Sequence, residues 1–274
     1  MRIDAMRKDA TVAAPKVLIE PSHEQVLDFC AREPVERVFL EDVARRGLGR
    51  FYAVERGDGS LGSLCHVGAN LVPSGEDCGV FADAAASSGS RMIIGGERAV
   101  GELWDAAHDR MPEPRQDRPG QPVYALSEPP EPGRTGLRAA TLFDLELLVP
   151  VCAAAHAEEL GVDPLERDRD GFRWRTRAQI EDGRSWIWLE RGVVRFKAEA
   201  SAWTPGAVQI QQVWVDPEVR REGFGKRGMR DLCRLLLAST PVVTLFVRTD
   251  NAPAIRLYES IGMDRVGSYR SVLF

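Results

Sequence analysis

The sequence of 274 residues contains no run of about 18 apolar residues, the length that a membrane-spanning helix needs. Residues 1–16 alternate charged and small side chains and lack the apolar segment of a secretory signal. The five cysteines are odd in number, scattered and without a C-x-x-C pair, which argues against a disulfide framework. These absences predict a cytoplasmic protein with reduced cysteines and no membrane contact.

Histidine and excess positive charge are also scarce. The four histidines, His23, His66, His108 and His156, stand alone without metal-ligand spacing, so no metal site is predicted. The formal net charge of −5 disfavours a nucleic-acid partner, because surfaces that bind nucleic acid are normally basic. No cysteine lies in a nucleophile signature, and Cys233, which lies among leucines, is predicted to be a core residue.

One segment combines a strand, a polar corner and a helix start marked by glycines. Residues 209–215 are β-branched, aromatic or amide side chains typical of a strand, Pro217 ends it, and residues 229–237 have apolar side chains at helical spacing. Gly223 and Gly225 lack the Cβ atoms that keep a phosphate away from N–H groups at a helix N-terminus. Several cations lie at this helix start, where the helix dipole disfavours positive charge, so the pattern favours a polyanionic ligand. For Arg227 and Arg230, a solvated charged face is an equal alternative.

A second motif follows a predicted apolar strand at residues 242–247. Its pattern is N-x-x-A-x-x-L-Y-x-x-x-G-M, from Asn251 to Met263. Asn251 suits a helix N-cap, Pro253 is allowed in a first turn, and Gly262 suits the position after a helix. This motif and the earlier R-x-x-G-x-G motif, which begins at Arg220, resemble the two signatures of the GNAT superfamily of N-acetyltransferases and occur in the same order.

The resemblance covers residues 137–274 and implies the GNAT acyl-CoA N-acyltransferase fold, an α/β protein with a mixed, mostly antiparallel sheet and helices on both faces. It implies acetyl-CoA as co-substrate, with the pantetheine arm beside a strand edge and the pyrophosphate on the glycine loop. The implied coenzyme-binding residues are Val213, Trp214, Val215, Arg220, Arg221, Glu222, Gly223, Phe224, Gly225, Lys226, Asn251 and Tyr258.

In a GNAT reaction the amine attacks the thioester directly, within a ternary complex. By resemblance, Tyr258 protonates the departing sulfur; the alternative is a packed helix aromatic. The strand before the loop carries Gln209, Gln211 and Gln212, which cannot take a proton at useful pH.

Two neighbouring carboxylates are the candidates for a base. Glu158 and Glu159 end a predicted helix and are predicted to line the acceptor site and relay a proton through water, with a solvated helix end as the alternative. Lys197 and Glu199, on a predicted strand, stay ambiguous.

The N-terminal half repeats the same rhythm of elements in shortened form. This order of elements predicts a degenerate GNAT-like domain in a tandem arrangement. The predicted units are a tail at residues 1–16, the degenerate domain at 17–127, a Pro/Gly-rich linker at 128–136 and the catalytic domain at 137–274. Gly47 and Gly49 follow a helix and precede a strand, so they are predicted to be a helix stop. No coenzyme is expected in this half. The plan resembles uncharacterised actinobacterial GNAT proteins with an extra N-terminal domain.

These observations predict an acetyl-CoA-dependent N-acetyltransferase that acts on a primary amine, either a small molecule or a protein lysine. The competing prediction is a non-catalytic acetyl-CoA-binding sensor or interaction module. The N-terminal half is expected to pack near the acceptor side of the site. The oligomeric state stays open.

Overall fold

The computed structural model describes residues 16–18 and 20–274, so the predicted tail, except Lys16, lies outside the described residues. The described strands are β1 (Lys16–Leu18), β2 (Arg50–Glu55), β3 (Leu61–Val67), β4 (Leu71–Gly75), β5 (Met92–Gly96), β6 (Gln116–Leu126), β7 (Arg138–Ala139), β8 (Ser185–Glu190), β9 (Val193–Trp203), β10 (Val208–Val215), β11 (Val243–Phe246) and β12 (Asp264–Leu273). The described α-helices are α1 (His23–Ala31), α2 (Val38–Arg45), α3 (Ala82–Ala86), α4 (Glu97–Ala107), α5 (Leu145–Leu160), α6 (Pro164–Glu181), α7 (Phe224–Leu237) and α8 (Ala252–Ser260).

These strands form one sheet in the order β1-β2-β3-β4-β5-β12-β6-β11-β10-β9-β8-β7. β4 pairs with β5 and β10 with β11 in parallel, and the other described pairings are antiparallel. Side chains alternate between two cores along β8, because Trp186 and Trp188 pack with α7 and α8 whereas Ile187 packs with α5 and α6. The predicted mixed, mostly antiparallel sheet with helices on both faces is confirmed.

The chain follows the same path twice. Three antiparallel strands, a helix, a parallel strand, a helix and a last strand occur as β2 to β6 and again as β8 to β12. Each last strand lies beside the other half: β6 lies between β11 and β12, and β12 lies between β5 and β6. The two halves therefore share one continuous sheet.

A helix of the N-terminal half also docks on the C-terminal half. Asp42 on α2 accepts two hydrogen bonds from the Arg184 guanidinium, at 2.6 and 3.0 Å, and one from the Trp203 backbone N–H at 3.2 Å. Val38 of the same helix packs on Ala202 and Ala207. Asp42 and Arg184 are both buried, so this ion pair is part of the interface between the halves.

Some elements differ from their predicted form. The pattern of residues 62–72 predicts a single strand, but the structure has a hairpin there, β3 and β4. Its turn is closed by a hydrogen bond from the Gly68 N–H to the Asn70 carbonyl. The sequence predicts a helix around residues 175–182, whereas the helix in the structure begins at Pro164, where the Asp163 side chain caps it. Gly47 and Gly49 have φ values of 64° and 71° and follow α2, which confirms a helix stop.

The predicted linker, residues 128–136, has no strand or helix and lies along α7. The Gly133 N–H donates to Asp231 at 2.7 Å, and Arg227 donates to the Gly133 and Arg134 carbonyls. A Cβ on Gly133 would lie 2.0 Å from the Arg227 carbonyl oxygen, so only glycine fits there. These contacts give Arg227 a structural role.

Candidate active site

The two parallel central strands of the C-terminal half diverge. β10 pairs with β11 only at Val208↔Val243 and Gln209↔Thr244. Further along β10 the register with β9 shifts between Gln211 and Trp214, and Gln212 has a φ of 50°. β11 therefore offers no ladder partner to residues 210–215, so backbone groups of the predicted pantetheine surface have no strand partner on that edge.

The helix that follows begins without a side-chain cap. Gly223, the residue before α7, has a φ of 87°, and the first turn holds no acidic residue. Arg221 has a φ of 69°, so the loop turns sharply before the helix. An uncapped N-terminus leaves N–H groups and a partial positive charge for an anion, which is what a pyrophosphate needs.

The two glycines of this loop do different things. A Cβ on Gly223 would meet nothing within 4 Å, so its importance lies in the positive φ. A Cβ on Gly225 would lie 3.1 Å from a Leu257 methyl and 3.2 Å from a Val215 methyl. Gly225 therefore lets α7 pack closely on α8 and β10, a role that the motif alone did not indicate.

Phe224, in the first turn of α7, is anchored in the core. Its ring stacks on Trp188 with centroids 4.6 Å apart, and the Arg227 guanidinium lies 4.8 Å from that Trp188 ring. The aromatic pair fixes the direction of the helix, and with it the direction of the free N–H groups.

Arg220 and Glu158, predicted for different tasks, form an ion pair. The Arg220 Nη2 lies 2.7 and 2.9 Å from the two Glu158 oxygens, and its Nε donates to the Val215 carbonyl at 3.0 Å. Both side chains are about half exposed. The pair ties the end of α5 to the start of the glycine loop.

Glu159 lies at the divergence of the strands. Its carboxylate accepts a hydrogen bond from the Gln212 side chain, and its carbonyl accepts from Arg118 at 3.1 Å and Arg248 at 3.2 Å. The Glu159 side chain is exposed to solvent, but protein atoms surround much of it. This partial removal from water raises the pKa of Glu159, against the opposing effect of the nearby cations.

Helix α8 places the other predicted side chains. Asn251 caps it, with its side-chain oxygen accepting from the Ala254 N–H at 3.2 Å, as predicted. Tyr258 is buried and lies 6.1 Å from Tyr124, centroid to centroid, and no hydrogen bond to its hydroxyl occurs among the described residues. Burial, with smaller effects of Cys233 and Glu159, raises the pKa of Tyr258, so the hydroxyl keeps its proton at neutral pH.

A groove with a volume of about 1040 Å³ lies between the two halves. Helices α5 and α6 and strands β9 and β10 contribute one wall, and the N-terminal half contributes the other. Glu199 and Cys152 line it, whereas Lys197 is fully buried beneath them, with its Nζ 2.6 Å from Glu199 and 3.4 Å from the Cys152 sulfur. Burial raises the pKa of Cys152 to about 12, so its thiol stays protonated.

Three residues at this site were not identified from the sequence as functional. Gln212 was noted only as a neutral side chain, Arg118 lies far from both motifs, and Arg248, three residues before Asn251, belongs to neither. Arg118 reaches the site from β6, and Arg248 follows β11, so only the strand order brings them to Glu159. No local signal in the sequence indicates these contacts.

A mixed sheet with two diverging parallel strands and an uncapped glycine-marked helix defines the class of acyl-CoA N-acyltransferases. Comparison with known families agrees. Residues 152–263 match the acetyltransferase (GNAT) family, and residues 49–159 match a domain of unknown function, DUF4081. The chain thus carries a GNAT acetyltransferase domain, preceded by a domain of another described family.

Curated relatives match over short stretches. The chain is 42% identical over 66 residues to N-alpha-acetyltransferase RimI of Mycobacterium tuberculosis, which is 24% of this chain and 40% of that protein. It is 40% identical over 63 residues to an uncharacterised protein of Mycobacterium leprae, which is 23% of this chain and 17% of that protein. The matched stretches thus span less than half the length of either relative.

Solved structures match along nearly the whole chain. A GNAT-family acetyltransferase from Colwellia psychrerythraea has a TM-score of 0.59 at 11% identity and covers 94% of this chain and 99% of its own. A tandem GNAT protein from the clavulanic acid biosynthesis pathway has a TM-score of 0.54 at 14% identity and covers 94% and 98%. These likenesses support the tandem GNAT fold predicted from the sequence.

Among the described helices, none combines the length and apolar character needed to cross a membrane. In the described part of the chain, no group of three or more His, Cys, Asp or Glu side chains is placed to hold a metal ion.

Proposed function

We propose that the protein is an acetyl-CoA-dependent N-acetyltransferase, which moves an acetyl group directly to a primary amine within a ternary complex. One observation carries the proposal: β10 leaves β11 immediately before an uncapped glycine-marked helix. The free strand edge and the free helix N-terminus suit the two ends of one coenzyme, the amide-containing arm and the pyrophosphate.

Bound acetyl-CoA would supply the acetyl thioester. The backbone of Val213, Trp214 and Val215 would pair with the pantetheine arm, and N–H groups of residues 223–226 would hold the pyrophosphate. Lys226 and Arg221 would add positive charge there, and Asn251 would contact the arm. Glu158 would act by holding Arg220 in place, so that the loop keeps its shape.

In this proposal Glu159 is the base. It would accept a proton from the attacking amine, directly or through one water, as the C–N bond forms. A backbone N–H of residues 213–215 would stabilise the charge on the carbonyl oxygen. Tyr258 would donate a proton to the sulfur as the C–S bond breaks, which gives an amide and a free thiol. Glu159 then returns its proton to solvent and Tyr258 regains one.

The acceptor would enter through the groove between the halves, which Gln212 and Glu199 line, and Gln212 donates to the Glu159 carboxylate. The match to a named N-alpha-acetyltransferase supports an amine acceptor. A small molecule and a protein lysine are the two acceptors that we propose. The five cysteines are all buried and unpaired, which supports a location in the reducing cytoplasm.

The alternative is a coenzyme-binding module without turnover. Its support is the absence of a carboxylate on β10, where Gln209, Gln211 and Gln212 stand. Thiol release from acetyl-CoA should be measured against a panel of primary amines, with Glu159→Gln as control. Amine-dependent release that Glu159→Gln removes would support the enzyme. Tight acetyl-CoA binding without release for any amine would support the module.

A further inference from the structure

The groove between the halves carries unpaired positive charge. Arg91 and Arg115 line it from the N-terminal half, and Arg167 and Arg175 line it from α6. Within residues 20–274, none of these four guanidinium groups forms an ion pair. Cations that face a groove without partners are available to an anionic ligand.

The groove's carboxylates are mostly engaged. Asp182 pairs with Arg46 at 2.8 Å, and Glu199 pairs with the buried Lys197 at 2.6 Å. Asp168 accepts a backbone hydrogen bond from Gly171 at 2.9 Å. Among the charged side chains that line the groove without an ion pair, the four arginines outnumber the one carboxylate, Asp168.

Arg175 is the unpaired cation that connects most directly to the reaction centre. Its guanidinium lies 5.5 Å from the centroid of the Phe172 ring, and that ring lies 5.9 Å from the ring of His156, edge to face. His156 and Glu159 are three residues apart on α5, so they share one side of that helix. Arg175 is thus connected, through the rings of Phe172 and His156, to the helix that carries the proposed base.

The ring between them carries no competing charge. Burial, and to a lesser extent Arg175, lower the pKa of His156, so the imidazole is neutral at pH 7. Glu199 lines the groove from β9, and unpaired arginines line it from α6 and from the opposite wall. An amine directed toward Glu159 would place the rest of its molecule among the arginines.

We propose that the groove selects primary amines that also carry an anionic group, a carboxylate or a phosphate, which Arg175 binds with the help of Arg91 and Arg115. This inference rests on the proposed acetyltransferase function. A planar guanidinium suits both anions because it donates two parallel hydrogen bonds to them. A polyamine, or a lysine within a basic peptide, would instead meet like charge.

The test uses the full chain with four probes that share a primary amine on a short chain: β-alanine, phosphoethanolamine, ethanolamine and putrescine. Binding is measured by calorimetry in the presence of coenzyme A, and acetylation is measured as kcat/KM. We expect the two anionic probes to exceed ethanolamine by about tenfold or more, as for a hydrogen bond to a charged group, and putrescine to be weakest. The ratio of β-alanine to phosphoethanolamine distinguishes carboxylate from phosphate.

Substitutions locate the preference. Arg175→Gln should reduce the advantage of the anionic probes over ethanolamine about tenfold, with acetyl-CoA affinity unchanged. Arg177→Gln is the matched control, because Arg177 is on the same helix but pairs with Glu181 on an exposed surface. Arg177→Gln should leave the ratio between the anionic probes and ethanolamine nearly unchanged.

Failure of this inference can be separated from failure of the proposed function. Acetylation of ethanolamine or putrescine at least as fast as of the anionic probes would overturn the acceptor class and leave the acetyltransferase in place. Preferential binding of anionic probes, without acetylation of any amine, would overturn the enzyme and keep the anion site. Absence of any preference in binding, including no detectable binding of any probe, would overturn the anion site.

Discussion

The two halves of the chain follow the same path but differ at the helix that follows their third strand. In the C-terminal half that helix, α7, has 14 residues and an uncapped start. In the N-terminal half a short 3-10 helix, Cys78–Phe81, and the five-residue α3 take its place. There the Cys78 N–H donates to the Glu102 carboxylate at 2.9 Å, and Glu76 and Asp77 precede it. Acidic groups stand where a phosphate would bind.

The gap between the parallel strands differs as well. β4 and β5 pair in parallel at Leu71↔Ile93, so the gap exists in both halves. In the N-terminal half the Ser74 hydroxyl donates to Glu36 at 2.9 Å and accepts from Arg37 at 3.0 Å, and Tyr269 donates to the Glu36 carbonyl at 2.7 Å. A pocket of about 260 Å³ lies beside these groups. The same strand path thus occurs in the N-terminal half with its own polar groups in the gap between the parallel strands. This half instead contributes one wall of the groove beside the C-terminal half.

The largest effect is expected at the proposed base. Glu159→Gln should lower turnover about hundred- to ten-thousandfold, the contribution typical of general base catalysis, while acetyl-CoA affinity stays nearly intact. Steady-state kinetics and calorimetry measure the two quantities. Glu158→Gln is the control, because Glu158 is paired with Arg220. A larger loss of turnover in Glu158→Gln than in Glu159→Gln would make Glu158 the base instead.

The shared sheet makes the two halves a single structural unit, and the buried ion pair between them should be costly to break. Asp42→Asn leaves the Arg184 charge buried without a partner and should lower the free energy of unfolding by about 3–5 kcal/mol. Chemical denaturation measures this. Asp182→Asn, which breaks the exposed pair with Arg46, should cost at most about 1 kcal/mol. Equal costs would argue that the interface contributes little.

The proposed acid should matter somewhat less than the base. Tyr258→Phe removes the hydroxyl and keeps the buried ring, so turnover should fall about a hundredfold, at the lower end for a general acid, with coenzyme affinity preserved. Tyr124→Phe is a matched control, because Tyr124 packs beside Tyr258 but donates to Glu259. Unchanged turnover in Tyr258→Phe would make this tyrosine a core residue only.

The pH profile gives a smaller, directional test. Because the pKa of Glu159 is raised, its carboxylate gains its proton at a higher pH than an ordinary glutamate. We expect kcat/KM to rise with pH through that raised value, about tenfold per unit below it. Arg248→Gln removes a cation that opposes the shift, so it should move this limb to still higher pH. A limb that persists in Glu159→Gln would belong to another group.

The sequence predicted the local elements of the site better than their contacts. The bounds of Ser185–Glu190, Val193–Trp203 and Val208–Val215 follow from β-branched and aromatic runs that end at turn residues. The hairpin of β3 and β4 was missed although its short turn contains Gly68 and Asn70, residue types that favour turns.

Non-local features were beyond prediction from one sequence. Nothing near β6 or β12 indicates that each lies beside the other half, because strand pairing depends on distant residues. In the same way, the bulge at Gln212 is a consequence of the register between β9 and β10. At this bulge Gln212 donates a hydrogen bond to Glu159, whereas Glu158 pairs with Arg220.

The difference between the halves is tested most directly by the stoichiometry of acetyl-CoA binding, measured by calorimetry on the full chain. One molecule per chain is expected. Gly223→Val should abolish binding, because a β-branched residue does not adopt a φ of 87° without strain, whereas Glu102→Gln in the N-terminal half should leave the stoichiometry at one. Two molecules per chain, or binding that survives Gly223→Val but is lost in Glu102→Gln, would contradict a single coenzyme site in the C-terminal half.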